Sequence, residues 1–390
     1  MNLPRPITLL PDAPDLRESI AALPPSAGIY VIGTAGGVPH LGSTANLPRR
    51  LTRLLVSSYT GGAAQTSIAS LRRKISAVEC WPAGSRLESS LLMYELARRH
   101  YPDDYRKRLR LRLPWFVGLT QRDPYPRLDL FNRLPSGAGA LFGPFVSRDA
   151  ADAYAQELLQ LFQIRRCPGA LAPDADHPGC IYGEMNQCLR PCQLAVTAGE
   201  YAAEVNRVAD FLATNGRSAT AALSVARDRA SREMQFEEAA QIHKRIEKIA
   251  SAASLRPPVV ENASAFNGVA LTPAVGALHF QLWPMLAGLW QEPIPLDFSG
   301  GEPQTKSLDQ QLREMLSASL ANPRTSGRTA EELAIFSRWY YSSWRDGHWF
   351  PFRSLSDLNY RKLVRQISTM AKASTAPQSA PPQAAPHQIV

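Results

Sequence analysis

Four cysteines lie close together near the middle of the chain. They are separated by twelve, seven and three residues, and they are Cys167, Cys180, Cys188 and Cys192. Thiolates at this spacing can supply four ligands to one metal centre, and such a donor set suits zinc or an iron–sulfur cluster without separating the two. The segment is rich in Pro, Gly and Asp and has little apolar periodicity, so it needs a cross-link, such as a bound metal, to become ordered. We therefore predict a metal centre, the alternative being four reduced cysteines that bind nothing.

Arginine and lysine are concentrated in two segments of the first third of the chain. One group is Arg49, Arg50 and Arg53, and the other is Arg106, Lys107, Arg108, Arg110 and Arg112. Within the second group Arg108, Arg110 and Arg112 alternate, so a strand here would place them on one face. Such a face would contact the phosphates of DNA without reading its sequence. The alternative is a solvated basic edge strand.

The composition also favours a polyanionic partner. The 390 residues contain 43 Lys and Arg against 34 Asp and Glu, which gives a formal net charge of +9. Prolines and acids interrupt the N-terminal segment, and the most apolar later stretch, 276–290, is too short to span a bilayer. We therefore expect a cytoplasmic protein with no membrane partner, in which the cysteines are not paired as disulfides.

The N-terminal part is predicted to be an α/β domain that covers residues 20–110. Residues 27–56 indicate strand, turn, strand and helix, and regular leucine spacing predicts a second helix over 85–100. An α/β extension is assigned to 111–166, where two strands are followed by a helix at 147–162. These elements would position the arginines and the residues of the first strand.

Changes in composition divide the rest of the chain. The cysteine-rich region is assigned to 167–197. An Ala-, Glu- and Arg-rich stretch without proline, 198–252, predicts a hairpin of two helices that turn near 214–216. A mixed α+β region of unassigned role follows at 253–371, and the Ala-, Pro-, Gln- and Ser-rich tail at 372–390 is expected to be disordered.

Several short motifs occur in order between residues 26 and 252. They are Gly28-Ile29-Tyr30, His40-Leu41-Gly42, Asn46-Leu47-Pro48-Arg49-Arg50-Leu51, the helix that ends before Pro102, Phe142-Gly143-Pro144-Phe145, the four cysteines and the helical stretch after them. In this order the chain resembles the GIY-YIG nuclease family, and within it the excinuclease UvrC. The resemblance implies a GIY-YIG nuclease fold, a role in nucleotide excision repair and a [4Fe-4S] cluster rather than zinc, although a fold does not by itself carry a function.

The resemblance also assigns roles to side chains of the nuclease fold. In the family a tyrosine helps to activate water, an arginine supports the phosphate charge, and a helical glutamate holds one divalent ion. Tyr30 and Arg50 occupy the first two positions, and His40 stands where a second tyrosine is usual. Imidazole can act as a general base near neutral pH, so this change alone is compatible with catalysis. The alternatives are a buried strand aromatic for Tyr30 and a solvated helix charge for Arg50.

Two further positions depart from the family pattern. Ser43 stands where UvrC-type sequences usually have lysine, and alignment on Pro102 places Met93 where the metal-binding glutamate belongs. A thioether is a poor ligand for magnesium or manganese. At about 100° per residue, Glu95 lies roughly 200° and Glu88 roughly 140° around the helix from position 93, so neither shares its face unless the alignment shifts by two residues. We therefore predict a degenerate site, which would hold magnesium or manganese only in an active nuclease.

The segment 234–246 resembles the UVR motif through which UvrC docks on UvrB. The resemblance implies that a UvrB-like helicase subunit is contacted by Phe236, Ala239, Ala240, Arg245 and Ile246. The alternative is an intramolecular helix pair with an amphipathic core. That alternative is compatible with partner binding, because two short helices cannot bury all of their apolar surface against each other.

Two functions follow from these patterns. The first is a DNA-binding, UvrB-docking accessory protein of nucleotide excision repair with a degenerate nuclease fold. The second is an active, metal-dependent endonuclease that makes a single incision in damaged DNA. Full-length members of the family carry a second nuclease domain and helix-hairpin-helix motifs, for which the residues after 252 are too few. We therefore expect the second incision activity to be absent.

Aromatic residues are concentrated in the last helical part of the chain. They are Phe336, Trp339, Tyr340, Tyr341 and Trp344, with Arg338 and Arg345 beside them. Such residues can stack on nucleic-acid bases. We predict a packed helical core instead, with base stacking as the alternative.

Overall fold

The computed structural model describes residues 3–34, 36–56, 75–120, 123–134, 139–300 and 306–375, which form a mixed α/β protein. The strands are β1 (Ile7–Leu9), β2 (Ala27–Thr34), β3 (His40–Thr44), β4 (Ile75–Ala83), β5 (Trp115–Leu119), β6 (Leu128–Phe131), β7 (Leu141–Phe145), β8 (Glu261–Asn262), β9 (Gly268–Pro273), β10 (His279–Leu286), β11 (Leu289–Trp290), β12 (Ile294–Asp297) and β13 (His348–Pro351). The helices are α1 (Leu16–Ala21), α2 (Leu47–Leu51), α3 (Arg86–His100), α4 (Tyr105–Arg108), α5 (Arg148–Leu161), α6 (Ile181–Glu184), α7 (Ala198–Thr214), α8 (Arg217–Arg232), α9 (Phe236–Ser254), α10 (Leu308–Ser319), α11 (Thr329–Tyr340) and α12 (Tyr360–Thr375). Within these ranges, none of the helices combines the length and the apolar character that crossing a membrane requires.

The N-terminal sheet has the strand order β1-β4-β2-β3, and its pairs are antiparallel. Side chains of β2 alternate between its two faces. Ile29 and Val31 pack in one apolar cluster with Leu96 of α3, whereas Tyr30 packs in another with Leu51 of α2. The predicted strand, strand and helix between 27 and 56 are confirmed, and so is the helix predicted over 85–100.

The middle sheet has the strand order β6-β5-β7-β8 and packs against α5 and α7. Its core includes Val117 of β5 and Tyr154 of α5. Helix α7 contributes Tyr201, Val208 and Phe211 to the same core. The first helix of the stretch 198–252, α7, therefore belongs to the core of the middle sheet. The helical hairpin consists of the next two helices, α8 and α9.

The prediction of two helices between 198 and 252 is wrong, because the stretch contains three. The predicted turn is present, with Asn215 and Gly216 both in the left-handed region. A second break follows α8, where Met234 has φ 58°. A left-handed methionine is uncommon, and neither glycine nor proline marks this break in the sequence. The break between α8 and α9 was therefore not predictable from the sequence pattern.

The C-terminal sheet has the strand order β11-β10-β9-β13, with β12 paired to β10. Rings from several elements pack beside it, and Phe336 and Trp339 of α11 have no exposed surface. The ring of Trp349 lies 4.6 Å from that of Phe336 and 5.7 Å from that of Phe266, centroid to centroid. The predicted packed aromatic core is confirmed. The last helix continues to Thr375, so residues 372–375 of the expected tail are helical, and 376–390 lie outside the described residues.

The C-terminal region packs directly on α3. Leu87, Leu91 and Tyr94 of α3 share an apolar cluster with Leu333 and Phe336 of α11. At the start of α3 the main chains meet so closely that a side chain on Gly84 would lie 2.0 Å from the carbonyl carbon of Ala274. The orientation of α3 is therefore set by the last third of the chain as well as by its own sheet.

Candidate functional site

Tyr30 and Arg50 are brought together as predicted. Asn46 begins α2 by accepting a hydrogen bond from the Arg49 backbone nitrogen at 2.9 Å, which directs the first turn toward β2. Arg50 donates from Nε to the hydroxyl of Tyr30 at 3.0 Å. Tyr30 itself is buried, at 2% exposure. The two residues that the motifs single out therefore form a hydrogen-bonded pair between β2 and α2.

The strand register places the other motif residues around this pair. Tyr30 lies opposite Gly42 of β3, where a side chain would approach the Tyr30 hydroxyl to 2.5 Å. His40 lies opposite Ile32, on the Tyr30 face, whereas Ser43 lies opposite Ile29 on the other face. Both His40 and Ser43 are exposed. Glycine at position 42 thus leaves room for the Tyr30 hydroxyl, and the imidazole is the one of the two polar groups that shares its face.

Met93 occupies an apolar environment. It is partly buried and packs against the cluster formed by Ile29, Val31 and Leu96, beside Leu41. That cluster lies on the face of β2 opposite to Tyr30. A thioether in this position serves packing and offers little to a hard divalent ion.

The two acids of α3 make contacts of their own. Glu88 accepts a hydrogen bond from the Gly84 backbone nitrogen at 2.8 Å, and burial raises its pKa. Glu95 is buried and pairs with Arg98 at 2.6 Å. In the parts of the chain that the structure describes, no carboxylate forms an ion pair with Arg50. No three His, Cys, Asp or Glu side chains of those parts are grouped so that they could hold a metal ion.

The basic run at 106–112 does not form a strand, so the predicted alternation on one face is wrong. Residues Tyr105–Arg108 are the short helix α4, and Arg110 is left-handed with φ 48°. Tyr105 is 4% exposed and its hydroxyl bonds to the buried Glu331, which anchors a helical turn here. This tertiary contact decides the local conformation over the alternating pattern.

The cations themselves remain at the surface. All five lie on exposed positions of α2, of the turn after it or of the α4 segment, and they are Arg49, Arg53, Arg108, Arg110 and Arg112. Arg108 pairs with Asp104 at 2.8 Å and its guanidinium lies 4.2 Å from the centroid of the Tyr101 ring. The run presents positive charge from a turn and a loop instead of from one strand face.

A buried arginine that the sequence analysis missed organises the start of the cysteine region. Arg165 is 1% exposed and donates to the carbonyl oxygens of Tyr125 at 2.6 Å, Cys167 at 3.0 Å and Gly169 at 3.0 Å. Its charge is balanced by Asp123. In the sequence it is one of two adjacent arginines, and nothing distinguishes it from a solvated pair. It holds the loop of the first cysteine on the middle sheet.

The four cysteines differ in exposure. Cys188 and Cys192 are buried, Cys167 is partly buried and Cys180 is exposed. Burial raises the pKa of Cys188 and of Cys192, and the neighbouring thiolates raise both further. The four thiols are therefore within electrostatic reach of one another, although they are not drawn together as metal ligands.

The chemistry of this donor set fits a metal centre. The Arg165 guanidinium lies 3.5 Å from the sulfur of Cys167, and the Arg190 backbone nitrogen lies 3.4 Å from the sulfur of Cys188. Donors of this kind stabilise thiolates that bind a metal. The fifth cysteine, Cys80, is fully buried, and burial raises its pKa to about 11, as expected for an ordinary core thiol.

The hairpin of α8 and α9 has an exposed apolar end. Phe236 is 67% exposed and follows Met234, which is 77% exposed, in the turn between the two helices; Val225, in the middle of α8, is 69% exposed. Of the other residues expected to contact a partner, Ala240 and Arg245 are exposed, whereas Ala239 and Ile246 are partly buried. The sequence analysis did not predict that Met234 and Val225 would be exposed; Met234 lies at the break between the two helices.

Comparison with known proteins supports the resemblance found in the motifs. The family described as "UvrC/Cho excinuclease, middle domain" matches residues 114–211, which include β5 to β7, α5 and most of α7. The UvrABC system protein C of Citrifermentans bemidjiense is 28% identical over 226 residues, 57% of this chain and 35% of that protein. The protein of the same name from Limosilactobacillus fermentum is 27% identical over 237 residues, 60% of this chain and 37% of that protein.

These relatives define what the chain is similar to. The chain resembles UvrC at low identity, and it spans about a third of the length of the curated relatives it matches. No solved structure matches it. The class of protein is thus a mixed α/β protein with a segment that matches the UvrC middle domain.

Proposed function

We propose that this protein is a DNA-binding accessory factor of nucleotide excision repair, which docks on a UvrB-like subunit and whose GIY-YIG-type fold does not cut DNA. One observation carries the proposal. The Tyr30–Arg50 pair is intact, whereas Met93 packs in an apolar cluster and the acids Glu88 and Glu95 of the same helix are engaged elsewhere.

The requirements of hydrolysis explain why such a fold can bind DNA without cutting it. Hydrolysis of a phosphodiester requires a nucleophile, a Lewis acid and cationic cover for the developing negative charge. Arg50 is hydrogen-bonded to the hydroxyl of Tyr30 and is not ion-paired with a carboxylate of the described residues, so its positive charge remains available to a phosphate. Arg49 and Arg53 add charge beside it. Because the described residues contain no group of His, Cys, Asp or Glu that could hold a metal ion, we infer that this surface binds phosphate and lacks the Lewis acid.

A nicking assay tests the proposal directly. Lesion-bearing duplex DNA with magnesium or manganese should be bound without being cut, and Arg50→Ala should weaken the binding. Wild-type cleavage that Tyr30→Phe abolishes would establish an active endonuclease instead. Because position 93 lies on the face of β2 opposite to Tyr30, Met93→Glu alone should not restore metal-dependent nicking. Val38→Glu, which adds a carboxylate at a 70% exposed site of the same domain, is the matched control for the added charge.

Docking on a UvrB-like subunit rests on the exposed end of the hairpin. Phe236 presents a ring to solvent at the start of α9, and apolar groups of this kind supply the anchors of helical recognition. Phe236→Ser should weaken binding to the UvrB-like subunit by tenfold or more, on the order of 1.4 kcal/mol. Val146→Ser, at a 56% exposed valine outside the hairpin, should leave binding unchanged.

A [4Fe-4S] cluster is proposed at the four cysteines, with zinc as the alternative. Cys167, Cys180, Cys188 and Cys192 would hold it, and when bound it would supply the cross-link that orders a loop poor in apolar contacts. Arg165 would then neutralise part of the thiolate charge. Anaerobically purified protein should show a broad visible absorption band that is lost in Cys188→Ser. Bound zinc without that band would assign the alternative.

A further inference from the structure

Helix α12 carries cations and no acids. Its sequence contains Arg361, Lys362, Arg365 and Lys372 without any Asp or Glu. Arg361, Arg365 and Lys372 are spaced at i, i+4 and i+11 with Ser368 between them, which places all three cations on one face. All are exposed. These three cations are called the α12 stripe.

The apolar face of the same helix is already occupied. Tyr360, Leu363 and Ile367 are between 0% and 3% exposed and pack in the core of the C-terminal sheet with α10. A helix that binds a membrane surface must bury its apolar face in lipid. Because α12 uses that face for the protein core, its outer surface offers mainly charged and hydroxyl groups. This favours a polyanion in solution over a bilayer.

Neighbouring acids do not neutralise the stripe. Helix α10 packs beside α12, and its acids Asp309 and Glu314 pair with Arg313 and Lys306. Asp357, just before α12, accepts a hydrogen bond from a serine hydroxyl. Across the described ranges no carboxylate forms an ion pair with any cation of the α12 stripe.

The positive surface continues beyond the helix. Burial lowers the pKa of His348 on β13, and the charges of Arg345 and Lys362 lower it further. Both cations therefore act electrostatically on one imidazole, Arg345 from the segment after α11 and Lys362 from α12. Such a concentration of like charge is unfavourable by itself and is relieved when a polyanion binds.

We propose that the α12 stripe binds the phosphodiester backbone of nucleic acid without reading its sequence. From Arg361 to Lys372 the helix rises about 16 Å, at about 1.5 Å per residue, which matches about five base pairs at 3.4 Å each. Exposed arginine and lysine side chains are the usual contacts to phosphates. The site lies outside the segment that matches the UvrC middle domain, and it does not depend on the proposed repair role.

The test is the salt dependence of binding to a short duplex of random sequence. The slope of log K against log salt is negative. In the triple variant Arg361→Gln, Arg365→Gln, Lys372→Gln its magnitude should fall by about 2 to 3, because each lost phosphate contact removes about 0.9. The control removes three exposed cations from the α8–α9 hairpin, as Arg217→Gln, Arg229→Gln, Lys244→Gln. It should leave the slope within about 0.5 of the wild type.

Three results would overturn the inference. They are an unchanged slope in the stripe variant, an equal fall in the control, and binding to anionic vesicles that DNA cannot displace. Thermal unfolding of both variants should match the wild type, since the substituted side chains are exposed. Nicking and subunit docking are measured separately, so failure of the repair proposal leaves this result interpretable.

Discussion

Glu331 connects the C-terminal region to the N-terminal domain through a buried carboxylate. It is 2% exposed and accepts hydrogen bonds from the hydroxyls of Tyr94 at 2.7 Å and Tyr105 at 2.9 Å, and from Arg106 Nε at 2.8 Å. Arg328, the residue just before α11, approaches it at 3.4 Å. Loss of this carboxylate should therefore loosen the junction between the two parts.

We predict that Glu331→Gln lowers the free energy of unfolding by about 2–4 kcal/mol. Breaking a buried pair by removal of one partner typically costs about 3–5 kcal/mol. The Arg106 and Arg328 side chains are 63% and 48% exposed, so they regain water and the cost falls. Two buried hydroxyls nevertheless lose a charged acceptor, and a hydrogen bond to a charged group contributes about 1.5–3 kcal/mol. The amide oxygen of glutamine recovers part of that loss.

The effect should depend on pH in a defined direction. Burial by itself would raise the pKa of Glu331, but hydrogen bonds from Tyr94, Arg106 and Tyr105 bring it below its ordinary value of 4.5. A carboxyl group with a lowered pKa in the folded state stabilises the protein fully above its unfolded pKa, and this contribution is lost as the pH falls through the folded value. The difference between wild type and Glu331→Gln should be constant near neutral pH and shrink below about pH 4.5.

Urea unfolding at several pH values measures this difference. Glu314→Gln is the matched control, because Glu314 forms an exposed ion pair with Lys306 at 2.6 Å and should change stability by less than about 0.5 kcal/mol. A Glu331→Gln loss no larger than the control would refute the reasoning. So would a loss that stays constant into acid.

Three further substitutions test contacts elsewhere. Gly84→Ala should destabilise the protein by about 1–3 kcal/mol or more in thermal unfolding, since the new methyl would meet the Ala274 backbone at 2.0 Å; an unchanged midpoint would contradict the close approach. Ser147→Ala removes the hydroxyl that accepts from the Ala150 backbone nitrogen at 3.1 Å, and should cost about 1 kcal/mol in urea. Arg165→Met should cost about 3–5 kcal/mol and speed proteolysis of the cysteine region. Wild-type protease resistance would exclude the role given to Arg165.

Local periodicity predicted the elements that hold the candidate site. The apolar run at Tyr30 indicates a strand that is buried on both faces, and the leucine spacing of α3 indicates a helix with a buried face; both kinds of burial are present in the structure. The Tyr30–Arg50 pair could be expected because its motif fixes both the strand and the helix that follows. These signals are contained within short segments, so sequence alone carries them.

Contacts between distant segments account for what the sequence could not predict. Tyr105 becomes helical because its hydroxyl reaches Glu331, more than two hundred residues later. Arg165 is buried because its partners come from the loop before β6 and from the cysteine loop. The break at Met234 requires a left-handed backbone conformation, and no glycine is present there to indicate it in the sequence. Each depends on a partner or a conformation that a local pattern does not encode.

Helix α3 is held in place by contacts that involve no divalent ion. A carboxylate at the partly buried position 93 would need an ion or a donor to offset its desolvation, whereas Met93 packs there as an apolar side chain. The next residue, Tyr94, bonds to Glu331 and ties the helix to α11. Asp346 accepts from the Arg86 backbone nitrogen at 2.5 Å and holds the start of the helix. Because both ties come from the C-terminal region, that region stabilises α3 through contacts that need no metal.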